Sequence, residues 1–273
     1  MTTDTPHLRP SPVWSLITVT YNSAATLREF WTGAREFGPD VEWIVVDNAS
    51  TDDSAETAES LGARVLKLDR NVGFGAANNV GFAQSESSYV AFVNPDVRPV
   101  ASTLPRLREA IDRTGGLVAP QLLNADGTLQ PNGRGYPFLV NKVMNRLQTG
   151  DDESAYRVYA RPGEEVDVVW LMGAVVAGRR NTLEGLGPWD ETFFVYYEDS
   201  DLGLRARRAG LRNILLGDAQ WTHGWARATK APSLAAWKRE LPSLVKFYSR
   251  YPSLLSLAPH RASRRIDLKE GQT

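Results

Sequence analysis

The sequence predicts an α/β domain with a mainly parallel sheet, and three observations carry that prediction. Apolar runs without alternation recur at Val13–Thr20, Trp43–Asp47 and Val90–Val93, as strands buried on both faces require. Strand and helix signals alternate four times in the first hundred residues, which implies parallel strands joined by right-handed crossovers. Each of these runs also stops at a polar corner: Thr20-Tyr21-Asn22, Asp47-Asn48 and Asn94-Pro95-Asp96. In open α/β sheets the carboxyl ends of the strands form the rim at which ligands bind.

Taken in order, Val13–Thr20 is the first strand, ended by Tyr21-Asn22-Ser23, where Asn22 or Ser23 suits a helix cap. Leu27, Phe30, Trp31 and Ala34 then recur at helical spacing and predict a helix over 24–37. The second strand ends in a loop rich in capping residues (48–53) leading to a helix at about 54–61, and residues 65–68 form a short third strand. The glycine segment 71–81 opens another helix. It lacks the Gly-Lys-Ser/Thr of a Walker loop and the third glycine of a dinucleotide fingerprint, yet its small residues permit close backbone approach to a ligand. Pro95 has no N–H for a ladder, so the fourth strand ends there, and Asp96 either caps the next element or turns a carboxylate toward the rim. Such a carboxylate is a hard oxygen ligand suited to Mg²⁺ or Mn²⁺ on a diphosphate. Asp47 has the same two readings, turn cap or ligand contact.

A helix is expected over 104–111, a strand over 117–123 and a turn at Asn124-Ala125-Asp126-Gly127. Residues 131–163 have weak periodicity and many Pro, Gly and charged residues, which predicts a long mobile excursion folding over an acceptor. Strand character resumes over 166–177, interrupted at Met172-Gly173-Ala174, where glycine marks a bulge or a close ligand approach. Glu198, Asp199 and Asp201 fall within four residues at the start of a helix expected over 199–209. One of them serves the helix dipole; another, partly desolvated by the preceding aromatic cluster, suits a general base, while Arg205 and Arg208 offer ion-pair partners. Another strand is expected over 213–216, and the His223 that follows is flanked by Trp221, Gly224 and Trp225. His223 is either a structural histidine or the completion of a metal site begun by Asp96.

Composition bounds the function. The chain has 273 residues, no cysteine and a net charge of −1, which excludes a disulfide framework, a thiolate nucleophile and a general attraction to nucleic acid. Residues 1–12 are polar and proline-rich and predict a disordered tail without a signal peptide. No apolar stretch is long enough to span a bilayer, so a cytoplasmic protein, free or peripheral at the inner membrane face, is expected. Residues 226–273 change character: ten Lys and Arg stand against three acids, and Leu234, Trp237, Leu241, Leu244 and Tyr248 recur at helical spacing, with Pro242 placed to kink the helix. This basic helical extension either packs on the preceding domain or lies on an anionic membrane.

Six segments, in order over residues 13–225, resemble glycosyltransferase family two, in particular its bacterial rhamnosyltransferase-like branch. They are Val19–Ser23, Val46–Asp52, Asn71–Asn79, Asn94-Pro95-Asp96, Gly187–Glu191 and Phe193–Arg205. The resemblance implies a GT-A fold, a Rossmann-like, nucleotide-binding sheet flanked by helices, with residues 13–100 binding the nucleotide-sugar and 101–225 the acceptor. It implies inverting transfer from a nucleotide-sugar to a glycan or polyprenol-linked acceptor in cell-surface polysaccharide assembly. The branch favours dTDP-rhamnose, with UDP-galactofuranose, UDP-glucose or UDP-N-acetylglucosamine as alternatives. By this resemblance Asp199 is the catalytic base, and Thr20, Tyr21, Asn22, Asp47, Asn48, Gly73, Asn79, Asn94 and Asp96 bind the donor. Trp170, Gly173, Glu198 and Asp201 face the acceptor, and Asp96 and His223 hold Mg²⁺ or Mn²⁺. Asn94 replaces the first acid of the usual Asp-x-Asp motif, and Trp189 stands where phenylalanine is usual. A nucleotidyltransferase, the rival enzyme class, would need a glycine-rich motif followed by a basic residue near the first strand, and none is present. A non-catalytic nucleotide-sugar binding module would not need Asp199.

Overall fold

The computed structural model describes residues 12–147, 156–224 and 234–255. The expected tail at 1–11, Trp225 and the chain beyond 255 lie outside them, as do the side chains of Leu234 and Trp237. The first half alternates as expected: β1 (Trp14–Thr20), α1 (Ala24–Phe30), β2 (Val41–Asp47), α2 (Ser54–Ser60), β3 (Arg64–Lys67), α3 (Phe74–Gln84) and β4 (Tyr89–Val93). After it come β5 (Val97–Arg98), α4 (Leu104–Thr114), β6 (Leu117–Leu123), β7 (Leu129–Gln130), β8 (Gly133–Arg134), α5 (Leu139–Leu147), β9 (Arg157–Val158), β10 (Glu165–Val168), β11 (Trp170–Leu171) and β12 (Val175–Arg179). The chain continues through α6 (Arg180–Leu186), α7 (Glu198–Arg208), β13 (Asn213–His223) and α8 (Leu234–Arg250).

The main sheet runs β10-β13-β6-β12-β4-β1-β2-β3, with β5 on β13 and β7 on β6. β3, β2, β1 and β4 are parallel, and β12 is antiparallel to both β4 and β6. β4 lies inside the sheet and is buried along its whole length, which is why its sequence is apolar without alternation. Thr20 pairs with Asp47 in register, so the ends of β1 and β2 share one rim.

Three local expectations are corrected. The helix expected over 24–37 ends at Phe30, and only a 3₁₀ turn follows at Ala34–Glu36. Trp31 ends it through contacts distant in sequence: its indole N–H donates to the Pro95 carbonyl at 3.0 Å, and its ring stacks on Trp43 at 4.2 Å. Neither Asn22 nor Ser23 caps α1 through its side chain. Asp52 does so from the next loop, accepting the Ala24 N–H at 3.1 Å, while Ser54 Oγ accepts the Ser23 N–H at 2.7 Å. The described part of 131–163 is not structureless, because β8 and β9 pair with β11 in a second, three-stranded sheet and α5 covers a helical turn or two beside it.

The C-terminal helix packs on the domain. Phe247, Tyr248 and Tyr251 are buried in an aromatic cluster with Phe138, Tyr156, Trp170, Phe193 and Tyr197. Pro242 lies inside α8, which continues through it to Arg250. Leu241 and Val245, one turn apart, remain exposed.

Candidate active site

The site is assembled on the short segment between the two sheets. Trp170, at its start, pairs with Arg134 of the small sheet. Gly173, in its middle, donates its N–H to Asp199 Oδ2 at 3.2 Å. Ala174, at its end, accepts the Asn94 N–H at 2.9 Å. One stretch of backbone therefore fixes Asp199 on one side and the Asn94-Pro95-Asp96 corner on the other.

At the corner, β5 and β13 pair with His223 opposite Val97, and the Gly224 N–H donates to the Asp96 carbonyl at 2.7 Å. His223 is the last residue of β13, carried there past a bulge between Leu216 and Gln220. Its Nδ1 lies 2.5 Å from Gln130 Oε1, and the Gln130 amide is oriented by donating to Asn124 Oδ1 at 3.0 Å. With Gln130 Oε1 as its acceptor, Nδ1 carries a proton, and Nε2 faces Asp96 Oδ1 at 3.3 Å. A proton or a cation between Nε2 and Oδ1 would bridge the two. Asn94 Oδ1 beside them is buried with no hydrogen-bond partner. Asp96 is 29% exposed, so the corner is open. Among the described residues no group of three His, Cys, Asp or Glu is placed to hold a metal. The donor set fits a Mg²⁺ or Mn²⁺ held by one or two protein ligands, with substrate phosphates completing its shell.

The donor rim divides into exposed and committed side chains. Tyr21 is 53% exposed at the end of β1. Asp47 is buried, accepting from Thr20 Oγ1 at 3.0 Å and from the Ser50 hydroxyl and N–H. Asn22 Oδ1 accepts the Thr51 N–H at 2.8 Å. Asn48 and Asn79, expected to meet the nucleotide, act as clamps. Asn48 donates to Asn71 and the Gly73 carbonyl and accepts from Val72. Asn79 donates to the Trp189 carbonyl and Glu191 and accepts the Trp189 N–H, using both amide hydrogens. Gly73 adopts φ +93°, and a Cβ there would lie 2.5 Å from the Phe194 carbonyl oxygen, so this glycine is required by chain packing.

Asp199 stands in the first turn of α7 and is half-buried. Its Oδ1 accepts the Ser200 N–H at 2.7 Å, leaving lone pairs open for a hydroxyl proton. The helix is entered through Tyr196 and Tyr197, both at positive φ (69° and 71°), a conformation costing roughly 1–3 kcal/mol each. α8 offsets it: Ser243 Oγ donates to the Val195 carbonyl, Lys246 holds the Thr192 carbonyl and Tyr197 packs on Phe247. Glu198 is 7% exposed, and its Oε2 has no partner. Burial, and after it the Asp199 charge, pushes its carboxyl up to about 8. Asp201 does not face the acceptor as expected: it is fully buried, paired with Arg205 at 2.7 Å and Arg250 at 2.8 Å and bonded to Tyr251. Arg208, the other expected partner, sits over the Tyr251 ring instead.

Sequence reasoning passed over Gln130, Arg134 and Lys142. Lys142 Nζ reaches Ser200 Oγ at 3.2 Å and lies over the rings of Tyr197 and Trp170. Its signal was available in Leu139, Val140, Val143 and Leu147, which recur at helical spacing.

Residues 15–162 match the family model described as glycosyl transferase family 2. Over 238 residues the chain is 28% identical to the N-acetylglucosaminyl-diphospho-decaprenol L-rhamnosyltransferase of Mycobacterium tuberculosis, covering 80% of this chain and 78% of that protein. Among solved structures, the mannosyltransferase of Pyrobaculum calidifontis with GDP-Man and Mn²⁺ superposes with a TM-score of 0.60 at 20% identity, over 89% of this chain and 65% of that one. GalNAc-T7 with UDP, GalNAc and Mn²⁺ gives 0.60 at 14% identity over 90% of this chain, which spans about half (52%) of that chain. These likenesses show a GT-A fold.

Proposed function

The chain belongs to glycosyl transferase family 2, and from that premise we propose that it transfers L-rhamnose, with inversion, from dTDP-rhamnose to a sugar hydroxyl of a polyprenyl-diphosphate-linked glycan. The mycobacterial relative's activity supports the sugar and the class of acceptor. The observation that carries the reading is the 173–174 backbone, which holds Asp199 and the Asn94–Asp96 corner on adjacent residues.

In this mechanism Tyr21 covers the nucleotide, and Asp96 and His223 would hold the metal against the donor diphosphate. When bound, Mg²⁺ or Mn²⁺ supplies positive charge to the departing nucleoside diphosphate. Asp199 takes the proton of the acceptor hydroxyl as its oxygen attacks the anomeric carbon from the face opposite the diphosphate. The bond from that carbon to the diphosphate breaks, its electron pair leaves with the diphosphate oxygen, and no covalent enzyme intermediate forms. Glu198, raised to about 8 by burial and by the neighbouring Asp199 charge, keeps its proton at neutral pH and is the acid of the pair. The enzyme works at the inner membrane face without a described helix long and apolar enough to cross it.

Asp199→Asn tests the base. A positioned base contributes about 10²–10⁴-fold to rate, so transfer should fall by that factor while nucleoside diphosphate binding, read by calorimetry, stays within about twofold. Transfer within tenfold of wild type would remove Asp199 from the mechanism. A donor panel assayed on a prenyl-diphospho-N-acetylglucosamine acceptor identifies the sugar; turnover with a UDP-sugar and none with dTDP-rhamnose would replace rhamnose in this reading.

A further inference from the structure

Beside Asp199, whose charge acts on both, stand two cationic side chains with no carboxylate in direct contact. Arg134 is buried, and its guanidinium donates to the Pro131 and Gly133 carbonyls. Lys142 reaches only the Ser200 hydroxyl and two aromatic faces. Among the described residues neither is in a direct ion pair; the Arg134 guanidinium also lies over the Tyr156 ring, 6.0 Å from its centroid. They converge on one ring: the Arg134 Cζ lies 5.9 Å and the Lys142 Nζ 4.6 Å from the centroid of Trp170. A third cation is near, because Arg134 and the buried Arg157, which keeps contacts of its own, are direct cross-strand partners of β8 and β9. Like charges placed opposite each other in a sheet are destabilising, and so is burying a charge without a counter-ion.

The place of the cluster says what it serves. Along 170–174 the order is Trp170 with the cations, Gly173 with Asp199, then Ala174 with the Asn94–Asp96 corner. Five residues span at most ~17 Å. Along this segment the cations stand on one side of Asp199 and the Asn94–Asp96 corner, proposed above for the donor diphosphate, on the other. Glu198 Oε2, buried and without a partner, belongs to the same group and is a hydrogen-bond donor in its protonated form.

We propose that Arg134, Lys142 and Trp170, with Glu198, form an anion subsite that binds a phosphate of the acceptor, separate from the donor diphosphate. This rests on the transferase reading above and adds to it the residues by which the protein itself recognises the acceptor's phosphate charge. The guanidinium supplies forked donors, the ammonium a point charge and the Trp170 face holds both in place.

The test compares three probes on the whole chain by calorimetry, with donor nucleoside diphosphate and Mn²⁺ present: a short-chain prenyl-diphospho-N-acetylglucosamine, the uncharged alkyl glycoside of the same sugar, and inorganic pyrophosphate. The diphospho-acceptor should bind at least about tenfold tighter than the glycoside, with pyrophosphate weaker than the acceptor and competing with it. Lys142→Met should reduce the acceptor-to-glycoside ratio toward one, and Lys142→Arg should retain most of it, with donor nucleotide affinity of both variants reporting that they fold. Equal affinity for the charged and uncharged acceptors in wild type overturns the proposal, as does a ratio unchanged in Lys142→Met. Pyrophosphate binding as tightly as the intact acceptor assigns the site to free phosphate and overturns the acceptor role. Because binding is read without turnover, these outcomes are independent of whether rhamnose is the sugar transferred.

Discussion

Replacing Glu198 by glutamine removes the one acid beside the base whose proton affinity burial has raised. The carboxyl is almost fully enclosed, its Oε2 has no partner, and the neighbouring Asp199 charge adds to the penalty on ionisation. Below about pH 4.5 the folded and unfolded chains both hold the proton, and the group makes no difference to stability with pH. Between there and about pH 8 the unfolded chain has released it while the folded chain has not, so stability falls as pH rises. Above about 8 the folded chain ionises too and the loss is complete. A carboxyl raised from 4.5 to about 8 costs the folded state roughly 5 kcal/mol by the upper end of that window. Glutamine has no proton to lose. The difference in unfolding free energy between Glu198→Gln and wild type should therefore move in favour of the variant by several kcal/mol from pH 5 to pH 8.5, whatever its value at pH 5. Chemical denaturation at half-unit pH steps measures it, and the titrating groups that do not interact with Glu198 cancel in the difference. A gap between the two proteins that stays constant across that range would show that Glu198 ionises normally, and would remove the protonated Glu198 from the proposed mechanism.

Gln130→Leu should weaken Mn²⁺-dependent binding of the donor nucleoside diphosphate about 10–100-fold and leave the metal-independent part unchanged, because Gln130 fixes which nitrogen of His223 carries the proton; calorimetry with and without Mn²⁺ separates the two. Gly203→Ala sets a helix-propensity gain of about 1 kcal/mol against a Cβ placed 2.3 Å from Trp170 Cβ and 2.7 Å from its Cα. The clash involves backbone and wins, so thermal unfolding should come several degrees lower; an unchanged or raised Tm would show that α7 and β11 are not held at this distance.

The parallel half of the sheet was legible because its strands are buried on both faces and their sequences say so without context. The turn at 124–127 and the start of α7 were legible for similar local reasons. What was not legible depends on partners distant in sequence. Trp31 continues the apolar spacing of α1, but the Pro95 carbonyl and the Trp43 ring, sixty-four and twelve residues away, end the helix there. Asn48 and Asn79 sit in segments matching the nucleotide-binding pattern, yet their amides are used in holding loops 71–73 and 189–191. Asp201 stands two residues from Asp199 and differs from it because Arg250 and Tyr251, about fifty residues on, join Arg205 in enclosing it.

That division has a physical pattern. On the proposed donor side, Asp47, Asn48 and Asn79 are satisfied by the loops and strand ends packed against them, and stability and geometry are served by the same bonds. On the acceptor side the fold carries what it would otherwise avoid: two consecutive tyrosines at positive φ, an unpartnered buried Glu198, and arginines facing each other on neighbouring strands. Each of these is unfavourable alone, and they persist because α8 and the aromatic cluster over-determine them through Phe247, Tyr248 and Tyr251. A site that only had to hold a nucleotide would not need them. The unfavourable elements gather around Asp199 and Trp170, where the proposed acceptor would bind, and the fully satisfied ones lie at the proposed donor rim.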